Sequence, residues 1–163
     1  MRRTAVIGAS AVAALGVGAV TAVTSGAQNP GGRTIELVTK DFKFKFVDNP
    51  PRARSESSPP SMGDQFLINA RVFDKAGARL GSFDVTCSTT KGGRRGAAVC
   101  TGIWTLRDGE LHGIARLGAS DDVTGSIVGG TGAYVGARGS FESVDRPGQS
   151  GGDPSDDTIT LLP

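Results

Sequence analysis

The chain has 163 residues, with 18 Lys and Arg against 16 Asp and Glu, a single histidine and two cysteines. With a net charge of +2 and no basic patch interleaved with aromatic residues, the composition argues against nucleic-acid binding. Metal sites need clustered His, Cys or acidic ligands, and no such pattern is present, so we expect no metal and no other cofactor.

Residues 1–27 have the pattern of a secretory signal peptide. Arg2 and Arg3 precede an apolar stretch from Ala5 to Val23, and small residues at Ser25 and Ala27 fit a cleavage site. A membrane anchor is the alternative, since about 19 residues suffice for a span. Cleavage after Ala27 removes two Arg and no acid, which leaves a near-neutral mature protein. We therefore expect a secreted, extracellular protein without a stable membrane anchor.

A short linker, residues 28–33, leads into one predicted domain at 34–163. The segment from Arg33 to Val47 alternates with period two, which is typical of a half-buried strand. One face of this strand is predicted to carry Val38, Phe42, Phe44 and Phe46, and the other face Asp41, Lys43 and Lys45. The Pro- and Ser-rich segment Asn49 to Gly63 predicts a long loop.

Seven further runs predict strands, at Gln65–Phe73, Leu80–Thr89, Ala97–Leu106, Leu111–Leu117, Val123–Val128, Ser140–Val144 and Thr158–Leu162. Short, regularly spaced strands without helical periodicity indicate a sandwich or a barrel. Eight strands suit a closed barrel, whose interior either is filled by side chains or holds one small ligand. The pattern alone leaves the sandwich open.

The two cysteines fall on opposite arms of a predicted hairpin whose tip is Gly92-Gly93-Arg94-Arg95. Folding there sets Cys87 opposite Cys100, Val85 opposite Gly102 and Phe83 opposite Trp104. Opposed residues have Cβ atoms about 4.5–5.5 Å apart, near the range that a disulfide needs. Secretion favours a Cys87–Cys100 disulfide that stabilises the sheet, and two buried free thiols are the alternative.

Few other residues suggest chemistry. His112 alternates away from the apolar residues of its strand, and no nucleophile motif accompanies it, so we predict a surface histidine. Asp153, Asp156 and Asp157 lie close together but lack a calcium-loop pattern, and we interpret them as part of a solvated loop.

Residues 127–139, Ile-Val-Gly-Gly-Thr-Gly-Ala-Tyr-Val-Gly-Ala-Arg-Gly, predict a strand end, a tight turn and a new strand. This segment resembles the Gly-Gly-Thr-Gly-x-aromatic-x-x-Ala-x-Gly signature of the allene oxide cyclase and dirigent β-barrels. The resemblance runs from about Phe42 to Leu162. Its other anchors are Gly63-Asp64, Phe73-Asp74-x-x-Gly77, Cys87, Cys100-Thr-Gly102 and Asp157-Thr-Ile-Thr-Leu161. The resemblance implies a single eight-stranded antiparallel β-barrel.

The resemblance also implies site residues. Dirigent proteins carry an aromatic-x-Asp at the end of their first strand, which corresponds to Asp48, and an Arg at the end of the glycine motif, which corresponds to Arg138. With Tyr134, these are the predicted catalytic or polar anchor residues, while a surface partner of Glu142 is the alternative for Arg138. The cavity is predicted to be lined by Phe42, Phe44 and Phe46.

The chain departs from the family at several positions. Dirigent proteins typically have an acid where this chain has Ala133. Plant allene oxide cyclases use a Glu and an Asn where this chain has Phe46 and Ala70. Strict allene oxide cyclase activity is therefore not expected.

Three functions follow as hypotheses. The first is a secreted, isomerase-like cyclase or dirigent protein that binds an apolar small molecule and directs its cyclisation or stereoselective coupling by positioning. The second is a non-catalytic extracellular carrier of a hydrophobic small molecule. The third is a structural domain with a filled barrel. The substrate and any homo-oligomer are not specified by the sequence.

Overall fold

The computed structural model describes residues 32–49, 58–118, 122–146 and 154–163. The predicted signal peptide, residues 1–27, and most of the predicted linker lie outside the described residues. Within the described ranges, no helix has the length and apolar character to cross a membrane.

Eight strands and one turn of 3₁₀ helix make up the domain. The strands are β1 (Arg33–Val47), β2 (Gln65–Phe73), β3 (Arg79–Lys91), β4 (Ala97–Leu106), β5 (Gly109–Leu117), β6 (Val123–Gly130), β7 (Gly139–Asp145) and β8 (Ser155–Leu161). The 3₁₀ turn, Gly132–Tyr134, lies between β6 and β7, where the glycine motif predicted a tight turn. The main difference from the sequence prediction is that β8 begins at Ser155, ahead of the predicted Thr158.

The strands form a closed antiparallel barrel in sequence order, with β8 pairing back to β1. Connections therefore alternate between two ends. The β1–β2, β3–β4, β5–β6 and β7–β8 connections lie at what we call the open end. The other connections lie at the closed end, where the β6–β7 segment hydrogen-bonds to the β4–β5 turn through Ala133 N and Asp108 O, 2.8 Å apart.

A bulge in β1 decides which side chains face the interior. The register with β2 shifts at Asp41, whose φ of 59° lies in the left-handed region. Because an extra residue reverses the alternation, Leu37 faces inward before the bulge, and Phe42 and Phe44 face inward after it. The prediction that Val38 shares a face with Phe42 is therefore wrong: Val38 points outward and is covered there.

The β3–β4 hairpin has the predicted register. Cys87 is paired with Cys100, Val85 with Gly102 and Phe83 with Trp104. The predicted disulfide between Cys87 and Cys100 is present.

Three aromatic rings lie across the interior of the barrel and pack with the aliphatic residues of its core, Leu37, Val72, Leu111, Ile127, Ile159 and Leu161. Phe83 and Trp104 are stacked with centroids 4.3 Å apart, and Phe141 meets Trp104 edge-on at 5.0 Å. Glycine on the facing strands makes room for them, since a Cβ at Gly113 would lie 2.8 Å from Trp104 and one at Gly125 would overlap the ring of Phe141. These rings form the floor beneath a space that the side chains leave open.

Candidate functional site

An interior cavity of about 200 Å³ lies above this aromatic floor. Most of its wall is apolar, and its lining includes Phe42, Ile68, Phe83, Val85, Cys87, Cys100, Trp104, Ala115, Leu117, Val123 and Phe141. The polar part of the wall comes from β7 and β8 and includes Ser143, Asp145 and Ser155. Such a cavity suits a small apolar body that carries a polar group on one side.

A buried carboxylate stands behind the polar wall. Asp157 is only 1 % exposed. Its Oδ1 accepts hydrogen bonds from Ser143 Oγ at 2.6 Å and Ser155 Oγ at 3.1 Å, and its Oδ2 accepts one from Thr39 Oγ1. Ser143 and Ser155 line the cavity, so their hydroxyls connect the carboxylate to whatever occupies it.

Burial raises the pKa of Asp157, because the charged form loses its hydration, and the three hydroxyl donors partly offset this rise. No ion pair seen in the described ranges involves this carboxyl. A carboxylate with a raised pKa is a stronger base than an ordinary aspartate, which suits it to accept a proton from a ligand.

The indole of Trp104 supplies a donor to the same region. Trp104 is 1 % exposed and lines the cavity. Its N–H helps to lower the pKa of Asp157, yet Nε1 has no partner at hydrogen-bond geometry among the described residues. The indole N–H therefore lies near Asp157 without a well-aligned hydrogen bond, so it is available to a ligand oxygen placed beside that carboxyl. One hydroxyl could thus accept from Trp104 and donate toward the serine–aspartate network.

The predicted cavity phenylalanines divide into two groups. Phe42 lines the cavity. Phe44 and Phe46 lie on the same face of β1 but nearer the open end, where their exposed fractions are 61 % and 39 %. They contact Phe66 rather than the cavity, with ring centroids 5.6 and 5.3 Å from it.

The three predicted catalytic residues are not brought together. Asp48 follows β1 at the open end, whereas Tyr134 and Arg138 belong to the β6–β7 connection at the closed end. Arg138 is exposed, and none of the three lines the interior cavity. Their catalytic roles stay predictions.

Tyr134 is buried in the closed end. Its hydroxyl donates to Asp108 Oδ1 at 2.9 Å, and the Arg33 guanidinium lies 5.5 Å above its ring. Burial raises the pKa of Tyr134, and the hydrogen bond to Asp108 raises it further. These contacts hold the β6–β7 connection in place at the closed end of the barrel.

Sequence analysis missed the interior acid. The prediction that Asp156 and Asp157 belong to a solvated loop is wrong, because β8 already includes both, and Asp153 lies outside the described residues. A signal was present: Asp157 alternates in phase with the buried Ile159 and Leu161. His112, in contrast, lies on the outer face as predicted, with Nε2 3.4 Å from Glu110 Oε2.

A larger depression, of about 650 Å³, lies on the outside of the wall beside His112. Its charged lining residues, which include Lys43, Lys45 and Asp84, are exposed. Hydrated charges of this kind exert little control over a reaction. The interior cavity, with its buried acid and its indole donor, is therefore the candidate site.

No family model matches the chain, and no curated protein matches it. Solved structures do match, and they show the fold: the chain has a closed eight-stranded barrel similar to those of dirigent proteins and Diels–Alderases. A pyocyanin demethylase is similar with a TM-score of 0.64 and 19 % identity, over 80 % of this chain and 100 % of its own.

Two further structures give the same fold. The pterocarpan synthase dirigent protein PsPTS1 has a TM-score of 0.64 and 14 % identity, over 83 % of this chain and 97 % of its own. The exo-specific intermolecular Diels–Alderase AbnU has a TM-score of 0.59 and 18 % identity, over 80 % of this chain and 98 % of its own. At these identities the likeness establishes the fold alone.

Proposed function

We propose that this protein binds one apolar small molecule with a hydroxyl or enol group in the interior cavity and directs its cyclisation or stereoselective coupling. The observation that carries this proposal is the polar wall, where the Trp104 donor and the Asp157 acceptor network meet in an otherwise apolar cavity. A filled structural barrel would need neither group.

The volume of the cavity limits the size of the ligand. An engineered apolar cavity of about 150 Å³ holds benzene. The present cavity, about 200 Å³, therefore suits one or two fused rings. The aromatic floor of Phe83, Trp104 and Phe141 offers ring faces and edges to such a ligand.

Catalysis would rest on positioning and on one proton transfer. The apolar wall holds the ligand in the folded shape that ring closure requires. The ligand hydroxyl accepts from Trp104 Nε1–H and donates to Ser143 or Ser155. As the oxygen adds to the alkene carbon of an enone, its proton passes through the serine hydroxyl to Asp157, whose raised pKa favours its acceptance. The electron pair of the broken carbon–carbon π bond moves into an enolate, which then takes the proton back at its α-carbon, so that Asp157 is again a carboxylate.

The structural neighbours support this proposal by their described activities. They include a dirigent protein named as a pterocarpan synthase and a Diels–Alderase, so this fold serves reactions in which the protein controls how a small molecule closes or couples. Asp48, at the open end, remains a proposed contact for a ligand that enters there.

An intramolecular cyclisation tests the proposal. An ortho-hydroxyphenyl propenyl ketone closes by adding its phenol oxygen to the alkene and gives a chiral methylchromanone, which forms as a racemate in buffer. We expect the protein to give an enantiomeric excess, and Asp157→Asn to abolish that excess. Racemic product with the wild-type protein, across ketones of one and two rings, would contradict the proposal.

A carrier without chemistry is the second candidate, favoured by the predominance of apolar lining over polar lining. The two candidates differ at Asp157. The protein is a carrier if the Asp157→Asn variant binds ligand as tightly as the wild type does and if neither the variant nor the wild type gives an enantiomeric excess of the product.

We also propose that the protein is exported and that the mature chain begins at Gln28. The disulfide supports an oxidising compartment. N-terminal sequencing of exported material should give Gln28, and retention of Met1 on membrane-bound protein would contradict export by this route.

A further inference from the structure

The wall of the barrel is uneven at the open end. Pairing between β1 and β8 ends at Thr39, so within the described ranges the rest of β1, through Val47, pairs with β2 alone. This part of β1 carries Phe44 and Phe46, which form a cluster with Phe66 of β2. We call these three residues the aromatic lip. It projects beyond the cavity, and Phe44 remains 61 % exposed.

Cations lie beside the aromatic lip, on the outer face of β1 and on the β3–β4 hairpin. Lys43 and Lys45 alternate with its phenylalanines along β1 and are exposed on the opposite face. The β3–β4 hairpin adds the exposed Lys91, Arg94 and Arg95 at the same end. Its tip contacts the β1–β2 loop, because Gly93 N donates to Pro60 O at 2.9 Å.

Acids lie at the open end as well: Asp48 follows β1, and Asp122 and Asp145 are exposed beside the ends of β6 and β7, whereas the five cations lie on β1 and the β3–β4 hairpin. Asp64 is buried and organises the loop, accepting from Ser61 N at 2.6 Å and from Asn49 N at 3.0 Å. The same loop exposes Met62, at 71 %. Exposed apolar side chains flanked by cations thus concentrate at the open end.

We propose that the aromatic lip and its flanking cations dock the protein on an anionic lipid bilayer. The inference does not rest on the proposed function. Phenylalanine and methionine side chains gain free energy by entering the acyl boundary, while Lys and Arg remain at the headgroups. Each cation near an anionic surface adds about 1 kcal/mol of attraction. Charge complementarity favours an anionic bilayer over a neutral one.

Vesicle co-sedimentation of the mature chain tests this proposal, with phosphatidylcholine vesicles that contain or lack phosphatidylglycerol. We expect binding only to the anionic vesicles. The double variant Phe44→Ser/Phe46→Ser should weaken it by about tenfold or more, since two aromatic rings no longer enter the interface. In about 1 M salt, where the Debye length is about 3 Å, binding should fall strongly.

Matched controls distinguish docking through the aromatic lip from nonspecific binding to the vesicles. Val135→Ser/Leu162→Ser removes two exposed apolar residues from the closed end and should bind as the wild type does. Lys43→Glu/Lys45→Glu should abolish binding, whereas Arg79→Glu/Arg107→Glu, with the same change in net charge near the closed end, should not. Equal losses in both charge variants would overturn the proposal, as would binding that survives loss of both phenylalanines. A salt-insensitive dimer without vesicle binding would overturn it in favour of a second copy of the chain.

Discussion

Two consecutive aspartates of β8 show how strand alternation divides chemistry between the faces of the barrel. Asp156 points outward, where Arg146 Nε at 2.6 Å and Lys75 Nζ at 2.6 Å hold its pKa well below the usual range. Asp157 points inward, where burial raises its pKa. The residue at the surface stabilises the fold as a charge, and the residue inside is available for proton transfer.

The two aspartates should give opposite pH dependences of stability. Because the pKa of Asp157 is higher in the folded state, the folded protein loses stability as pH rises from about 4, the unfolded value, through the folded pKa. The Asp157→Asn variant has no such carboxyl, so its stability should rise relative to that of the wild type over this interval. A lowered pKa means that the ion pairs of Asp156 stabilise above about pH 4 and are lost as pH falls, so Asp156→Asn should lose stability at neutral pH.

Chemical denaturation of the wild type and both variants across this pH range measures the effect. The comparison uses changes in unfolding free energy with pH rather than absolute values, because the asparagine amide also alters the hydrogen bonds of Thr39, Ser143 and Ser155. If the unfolding free energies of all three proteins changed with pH in the same way, the assignment of Asp156 to the outer face and Asp157 to the interior would be contradicted.

The glycines of the floor give a second prediction at the residue scale. Alanine at Gly113 would place Cβ 2.8 Å from Trp104 and 3.0 Å from Phe141. We expect Gly113→Ala to cost about 1–3 kcal/mol of unfolding free energy through overpacking. Gly129→Ala is the matched control, since no atom lies within 4 Å of its added Cβ. Equal stability of the two variants would contradict the described floor.

At the scale of elements, the sequence predicted which strands pair better than it predicted which side chains point into the barrel. Period two and turn residues located eight strands, and the hairpin tip at Gly92-Gly93 set the β3–β4 register. The bulge at Asp41 was not predicted, because aspartate adopts positive φ only occasionally and a single aspartate within an alternating run is a weak signal of it. The bulge shifts the inward and outward alternation of β1 by one residue, and for that reason Val38 was wrongly assigned to the same face as Phe42.

The Cys87–Cys100 disulfide belongs to this scale. It joins residues 13 positions apart across the hairpin. In the chain-entropy model a loop of about this length contributes about 3 kcal/mol. We expect Cys87→Ala/Cys100→Ala to lower the unfolding free energy by about that amount, measured by urea denaturation, and reductant to have no further effect on the variant. Two titratable thiols in denatured wild-type protein would contradict the bond.

At the scale of the whole molecule, the candidate site depends on closure of the barrel. Closure pairs β8 with β1 on one side while β7 pairs with β8 on the other, which is how Thr39, Ser143 and Ser155 reach one carboxylate. Residues so distant in sequence carry no local signal of proximity, so the sequence alone could not assemble this network. The resemblance predicted the barrel correctly, but it placed the polar anchors at positions that the fold sets at opposite ends.

Ligand binding in the interior cavity is tested most directly by the fluorescence of Trp104. Trp104 is the only tryptophan in the chain and lines the cavity. Decalol and its hydrocarbon decalin are transparent at the wavelengths of tryptophan and fit the expected size. We predict a saturable change in Trp104 emission with both ligands, and an affinity about tenfold higher for decalol, as one buried hydrogen bond provides. The absence of any saturable change with either ligand would contradict the account.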